Sequence, residues 1–496
     1  MGKIKDQAIK GSVYSYLGVL LGFAISGLIL PRLFSTAENG LINLLIAWSS
    51  LFAQFATLGF GNATGRLFSW FRDEKSNHHG FIGLLFLVVL TGFGLAMIVF
   101  TLFQPAIVRE NMSKSSLFAP YIYFVVPLIF FNLLYLLLDV YFKMLFKTII
   151  GTFLKEFLLR ILILLTLLFY FLEWITFNEF IIAYVVANCI PAALLLVILM
   201  LQEGVRWRPD WKFIDPKLAR LLVNMSFYGI IVGFSSVMVL YIDRIMIERM
   251  VGIEAVGIYS ITFFFGTLVV IPSRSLRKIA GTMLAEAWKV NDLKTIAEIY
   301  SKSIVNQLIL GVLIFVGLWA NIGNVFNILP EEYASGKWVI FFVGLAGLIE
   351  MSSGVSEILV QTSPFYRFSA LLNSLFLIFV VVFNYLFISF FGLTGAAIAN
   401  VVAFVLSNTI RYLFIYHKYS FVPFNLNHVF ILLTGLLTYA LINLLPELQP
   451  YLLDIAVRSS LIILMYIPAI YWLKVSPELN QTIESVLGKL FGRLAR

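Results

Sequence analysis

YIDRIMIERMVGIEAVGIYSI, residues Tyr241 to Ile261, packs five charges into the twelve residues from Asp243 to Glu254 and has apolar runs on both sides. Charges gathered at one point between two apolar runs mark a place where a chain leaves a bilayer, turns and re-enters, because non-helical backbone at such a place must face water or a cavity. On this reading Glu248 and Glu254 are solvated. Asp243 and Arg244 directly follow an apolar run and are the two placed to face inward.

The rest of the chain fits that reading. A mean hydropathy of +0.96 with 12% charged residues excludes a soluble domain, which carries about a quarter charged residues. A hydrocarbon core of about 30 Å takes roughly 20 apolar residues per helical span. Segments of that kind have their cores at 13–31, 41–61, 81–103, 119–140, 152–172, 179–201, 222–242, 255–275, 303–323, 338–360, 369–388, 392–414, 428–445 and 453–473. The fold class is therefore an all-α integral membrane protein of about 14 transmembrane helices. An even number puts both ends on one side. Of the 35 Lys and Arg residues, 27 then fall on the amino-terminal side and 7 on the other, with Arg160 inside a span, the bias of a chain whose termini are cytoplasmic. The basic start MGKIKDQAIKGS leads into an apolar run too long for a signal-peptide core. The single cysteine, Cys189, lies in an apolar segment and reads as a small core residue. The net charge of +9 sits in loops between spans, so nucleic acid is not needed to explain it. One cytoplasmic loop, Ser273–Lys302, holds LAEAWKVNDLKTIAEIY, which reads as a surface helix.

PRLFSTAENGLINLLIA from Pro31 aligns without gaps on ERMVGIEAVGIYSITFF from Glu248 at an offset of 217, placing Arg32 on Arg249 and Gly40 on Gly257. Together with the span count, this implies two parallel, pseudo-symmetric six-helix halves with two helices appended, a plan used by secondary transporters. The expected organisation is an N-terminal lobe at 1–202 (helices 1–6), a cytoplasmic linker at 203–221, a C-terminal lobe at 222–416 (helices 7–12), and helices 13–14 with a cytoplasmic tail at 417–496. DRIMIERMVGIEAVGIYSI, LPRLFSTAENGLINLL and FGLTGAAIAN (Phe391–Asn400) resemble prokaryotic polysaccharide flippases of the O-antigen type, members of the multidrug/oligosaccharidyl-lipid/polysaccharide exporter superfamily. The resemblance implies two lobes around a cavity that opens alternately to each side.

Charged side chains in lipid are costly and face cavities or partners. Arg160 lies within helix 5 with Glu156 one turn earlier, so it forms a local ion pair or contacts substrate. Glu350 lies near the middle of helix 10, and Glu357 shares its face across Ser353 and Gly354; with Asp139 these are the candidates for ion coupling. Arg66 after helix 2, and Arg274 and Arg277 after helix 8, hold similar places in the two halves and make a basic inner mouth, with Arg32 and Arg244 at the other. Arginine suits phosphate because its planar fork donates two parallel hydrogen bonds, although positive-inside charge alone also accounts for the inner set. Tyr14, Tyr16, Tyr228 and Tyr241 are placed to stack on sugar faces.

No HExxH, Cys/His cluster, GxSxG or Walker lysine occurs, so the expectation is no catalytic residue, no metal and no cofactor. The resemblance implies alternating-access flipping of an undecaprenyl-pyrophosphate-linked oligosaccharide for surface polysaccharide or lipopolysaccharide synthesis. It also implies a monomer in the bacterial inner membrane, with membrane lipids and a polysaccharide polymerase complex as partners and no nucleic acid. The alternatives are a cation-coupled drug exporter of the same superfamily and, further off, a membrane polymerase or glycosyltransferase, which would need a sizeable outer loop.

Overall fold

The computed structural model describes residues 2–111, 117–201 and 206–494, with side chains except at 2–10, 12, 16, 106–111, 275 and 486–494. The boundary expected at 202/203 and the side chain of Tyr16 lie outside the described residues. Among the described residues every regular element is a helix, which lets each spanning segment satisfy its own backbone groups in lipid.

Thirteen helices among them are long and apolar enough to cross a membrane: α1 (Val13–Leu33), α2 (Thr36–Ala56), α3 (Asn77–Pro105), α4 (Phe118–Met144), α6 (Phe177–Met200), α7 (Pro216–Met250), α8 (Ile253–Val270), α9 (Leu293–Ala320), α10 (Glu331–Ser352), α11 (Tyr366–Phe391), α12 (Leu393–Tyr419), α13 (Leu426–Asn443) and α14 (Tyr451–Trp472). The remaining one, α5, runs over residues 148–171 as three consecutive helical stretches of 5, 6 and 13 residues. At 1.5 Å per residue it is roughly 36 Å long, so length does not set it apart. Its three charges, Lys155, Glu156 and Arg160, do.

Local chemistry fixes the helix starts. Ser35 and Glu38 form a reciprocal capping box at α2, Thr176 and Glu179 form another at α6, and the Asp215 side chain accepts from the Leu218 N–H ahead of α7, with Pro216 in its first turn. Lys155, Arg411 and Arg458, which the charge bias takes with the flanking loops, lie well inside helices α5, α12 and α14.

The stretch 241–261 departs from its sequence reading. Helix α7 continues to Met250, and the turn is confined to Val251 and Gly252 before α8 begins. Glu254 is exposed, but Glu248 is fully buried and Asp243 is only 2% exposed. The expectation that Glu248 is solvated is therefore wrong, because the helix carries it past the expected exit point and into packed surroundings. The Tyr259 hydroxyl donates to Asp243 Oδ2 (2.6 Å), and Arg244 Nε donates to Ser260 Oγ (3.1 Å). The Ser273–Lys302 loop also differs: it splits into a helix over Ser273–Lys289 and the first turns of α9, which starts at Leu293.

The chain forms two compact units, Met1–Ile261 and Thr262–Arg496. In the first, α2 packs on α3, α4 and α7, α4 packs on α6, and α1 packs on α5. The amphipathic helix Phe60–Phe71 buries Phe60, Leu67, Phe68 and Phe71 in the same core. In the second, α12 packs on α10 and α11, while α9 packs on α10, α13 and α14.

Candidate functional site

Helix α5 brings charge into the interior of the first unit. Its middle stretch, Phe153–Leu158, is a π-helix that carries Lys155 and Glu156, and α1, which packs against it, has its own π stretch at Ala24–Ile29. Such wide turns recur at functional sites because they re-aim side chains that a regular α-helix would direct elsewhere. Two glycines of α1 make the approach possible. A side chain at Gly18 would meet the Glu156 carbonyl oxygen, and one at Gly22 would lie 3.0 Å from Arg160 Nη1.

The cations here are held by little. Lys155 Nζ sits over the Tyr135 ring, 5.0 Å from its centroid, and the Tyr135 hydroxyl donates to the Gly151 carbonyl (3.0 Å). Asp139 pairs with Lys143 one turn on (2.5 Å); its other oxygen is buried without a hydrogen-bond donor against Gly151, where a side chain would collide with it. Arg160 forms no hydrogen bond or ion pair among the described residues: Glu156 does not reach it, and its Nε is buried without an acceptor. The Tyr184 hydroxyl of α6 is within its electrostatic reach. Lys143, Lys155 and Arg160 thus face two carboxylates, Asp139 and Glu156. A buried guanidinium N–H without an acceptor is costly, and a multivalent anion would relieve that cost.

The second unit pairs its charges. Arg277, on the helix Ser273–Lys289, reaches Glu350 Oε1 (2.5 Å) and Glu357 Oε2 (3.8 Å). These carboxylates do not share one continuous helix: α10 ends at Ser352, Gly354 takes a φ of +59°, and a separate helix starts at Ser356. Arg277 therefore bridges the break. Arg411 is 8% exposed, donates to Asn408 Oδ1 (2.8 Å) and lies within reach of the same carboxylates. At the carboxyl end of α13, Arg458 donates to Asp454 Oδ2 (2.6 Å) and to the carbonyls of Ile442, Leu445 and Pro446. Asp454 also accepts from Asn324. This network closes a helix end with all three guanidinium nitrogens of Arg458 donating, a structural role.

The other residues singled out by sequence do not converge on one point within a unit. Arg32 ends α1, Arg66 lies on the exposed face of Phe60–Phe71, and Arg274 is exposed at the start of the following unit's amphipathic helix. Arg244 is half-buried against Ser260. Tyr14 packs edge-on to Phe153 (5.1 Å), whereas Tyr228 is 64% exposed. Sequence reasoning missed Lys155, Arg411 and the Asp454–Arg458 pair. The available signals were the i, i+1, i+5 spacing of charges in an apolar α5 and the i, i+4 pair in an apolar α14.

This fold is that of the MOP-superfamily transporters. The "Lipid II flippase MurJ, inward closed conformation" superposes with a TM-score of 0.73 at 13% identity, covering 94% of this chain and 100% of that one. An inward-facing multidrug resistance MATE family transporter gives 0.61 at 12% identity over 81% and 98%. A MOP-superfamily transporter from Pyrococcus furiosus, described as having a binding pocket of reverse polarity, gives 0.54 at 13% over 84% and 95%. No curated protein sequence matches the chain. Residues 9–284, more than half of the chain, match the family model described as "Polysaccharide biosynthesis protein", and the chain belongs to that family as a multi-pass membrane protein.

Proposed function

We propose that the protein flips an undecaprenyl-pyrophosphate-linked oligosaccharide across the bacterial inner membrane by alternating access, for O-antigen-type surface polysaccharide. One observation supports the reading: Arg160, half-buried inside the first unit beside Lys155, has its Nε buried with no acceptor and forms no ion pair among the described residues. A pyrophosphate supplies the charge and the acceptor oxygens that this pair lacks, and arginine's fork donates to them in bidentate fashion. Arg32, Arg66, Arg244 and Arg274 guide the head group on either side of that point. A drug exporter for cations would need carboxylates left available, yet Asp139, Glu350, Glu357 and Asp454 are engaged by lysine or arginine. For the same reason we place the driving force in consumption of the flipped product by a polymerase rather than in protonation of Asp139, Glu350 or Glu357. The protein acts as a monomer with both ends in the cytoplasm.

The test is flipping of a fluorescent lipid-linked oligosaccharide in proteoliposomes, read by the fraction accessible to dithionite. Arg160→Gln abolishes flipping and Arg160→Lys retains part of it. Gly22→Leu, which pushes the guanidinium aside without changing charge, lowers the rate at least tenfold. Wild-type flipping by the double variant Lys155→Gln/Arg160→Gln would refute the proposal.

A further inference from the structure

The second unit holds a polar cavity that the Arg277 network leaves unused. It lies at the break in the tenth span, where α10 ends at Ser352, Gly354 takes a φ of +59° and a separate helix begins at Ser356. Its volume is about 230 Å³, and α9, α12 and the segment before α13 close its other sides. Broken backbone at membrane depth is tolerated where it is buried in protein or lines a cavity, and discontinuous helices build the substrate sites of many transporters. Six hydroxyl side chains line this one: Tyr300, Ser352, Ser353, Ser356, Thr409 and Tyr412. Ser352 and Ser353 donate to the carbonyls of Ile349 and Glu350 (2.7 Å each) and keep their lone pairs as acceptors. The hydroxyls of Tyr300, Thr409 and Tyr412 make no hydrogen bond among the described residues. Ser356 is 2% exposed, and its hydroxyl is buried without a partner. A buried hydroxyl left unpaired is costly.

We propose that this cavity binds a sugar residue of the substrate's glycan; the source of that sugar rests on the flippase reading above. The lining selects the occupant by chemistry. Hydrocarbon would leave Ser356 and the lone pairs of Ser352 and Ser353 unsatisfied. An ion finds no charge left available, because Arg277, Glu350 and Glu357 pair with one another and Asn408 Oδ1, at the cavity wall, already accepts from Arg411. A sugar hydroxyl both donates and accepts, which answers a lining of hydroxyls that do the same. Its C–H face suits the rings of Tyr412 and Phe424, which meet edge to face at 5.2 Å. One water needs only about 10–15 Å³ of such space, so the cavity takes a larger group. Val405 and Phe424, both exposed, mark its opening. The basic bias puts this end of α10 on the cytoplasmic side, where a lipid-linked glycan is loaded.

The probe is the phosphate-free oligosaccharide that mild acid releases from the lipid-linked oligosaccharides of the producing cells. Saturation-transfer NMR titrates it against the full chain in phosphatidylethanolamine nanodiscs. Ser356→Ala is expected to weaken binding about fivefold, the loss of one neutral hydrogen bond. Its thermal midpoint should equal or exceed that of the wild type, because a hydroxyl with no partner in the protein has no bond to lose. A serine with a structural role would do the reverse, lowering the midpoint and leaving binding unchanged. Thr409→Trp, at an exposed position, fills the cavity and abolishes binding, and Val405→Trp does the same should Thr409→Trp fold poorly. Arg160→Gln leaves sugar binding unchanged, since the probe carries no phosphate. No binding by the wild type, wild-type affinity in both Ser356→Ala and the tryptophan variant, or displacement of the sugar by added phosphatidylglycerol, whose head group is also a polyol, would overturn the proposal. The two readings fail separately. Normal flipping and unchanged sugar affinity in Thr409→Trp would sink only the cavity, whereas sugar binding lost in Thr409→Trp but no flipping by the wild type in proteoliposomes would sink only the flippase reading.

Discussion

Gly40 and Gly257 lie against each other where α2 meets α8: a side chain at Gly257 would stand 3.1 Å from the Gly40 amide nitrogen and run into the Thr36 carbonyl, and one at Gly40 would run into the Ile253 carbonyl. Small residues let helix backbones come this close in membranes. The blocking atoms are backbone and cannot swing away, so Gly40→Ala and Gly257→Ala should each cost about 1–3 kcal/mol, the range for overpacking. Thermal unfolding of the purified protein is expected to shift down by several degrees for each. Gly65→Ala is the control, because nothing lies within 4 Å of the added methyl. Equal midpoints for Gly40→Ala and Gly65→Ala would show that the close approach is absent in the membrane protein.

Orientation can be read from single cysteines in a Cys189→Ser background. Asn291, between the helix Ser273–Lys289 and α9, and Glu332, in the first turn of α10, are both exposed. The basic bias puts Asn291 in the cytoplasm and Glu332 outside. An impermeant maleimide should therefore label Glu332→Cys in intact cells and Asn291→Cys only after permeabilisation. The opposite pattern would invert the topology.

What the sequence disclosed and what it hid divide along a physical line. Apolar runs of bilayer length are a property of composition, so the all-helical membrane fold was legible; the alignment of Gly40 on Gly257 appeared as a repeat, but their contact did not. Burial of individual charges depends on which helix face meets which neighbour. Glu248 looked solvated because the chain around it is charged, yet α7 runs on past it and buries it. The charge bias groups Lys155 with the loop cations although it falls in the expected span 152–172, and only the π stretch facing Gly18 and Gly22 reveals where it sits. The partner of Glu350 came from a helix more than seventy residues away, a distance that periodicity cannot bridge.

The segment before α7 is fastened to the start of α3 by a contact that depends on pH. The Asp210 N–H donates to the His79 carbonyl (3.0 Å), the Asp210 carboxylate lies 3.7 Å from His79 Nδ1, and the imidazole stacks on Phe213 at 3.6 Å. Partial desolvation pushes the Asp210 carboxyl up, but Arg206 and the N–H groups of Lys212 and Phe213 outweigh it, and the net shift is downward. A depressed carboxylate stabilises the folded form above its unfolded value of about 3.9 and loses that contribution as pH falls through the lower folded value. Hydrogen exchange of 206–213 should thus be flat from pH 7 to 5, after correction for intrinsic rates, and rise below about pH 4. Asp210→Asn should already exchange faster at pH 7 and lose the rise. A rise already present between pH 7 and 5 would overturn the assignment of the contact to Asp210.

Arg277 and Glu350 set the last expectation, because their pairing decides what Glu350 can do. At 2.5 Å, with side chains about one-fifth exposed, the pair lies between a fully buried one, which costs about 3–5 kcal/mol to break, and a surface pair worth about 0–1 kcal/mol. Arg277→Gln and Glu350→Gln should each destabilise by about 1–3 kcal/mol, and the double variant should cost less than their sum by about 1 kcal/mol or more, as contacting residues do. Arg277→Gln should be the worse single change, since it also releases Glu357 across the break after Ser352. A carboxylate already neutralised by a guanidinium gives up that contact to bind a proton, so Glu350 makes a poor carrier. Glu350→Gln should keep whatever dependence on a proton gradient the wild type shows in proteoliposomes, once rates are scaled to folded protein. Loss of that dependence at unchanged thermal stability would make Glu350 the coupling group and Arg277 the residue it releases on protonation.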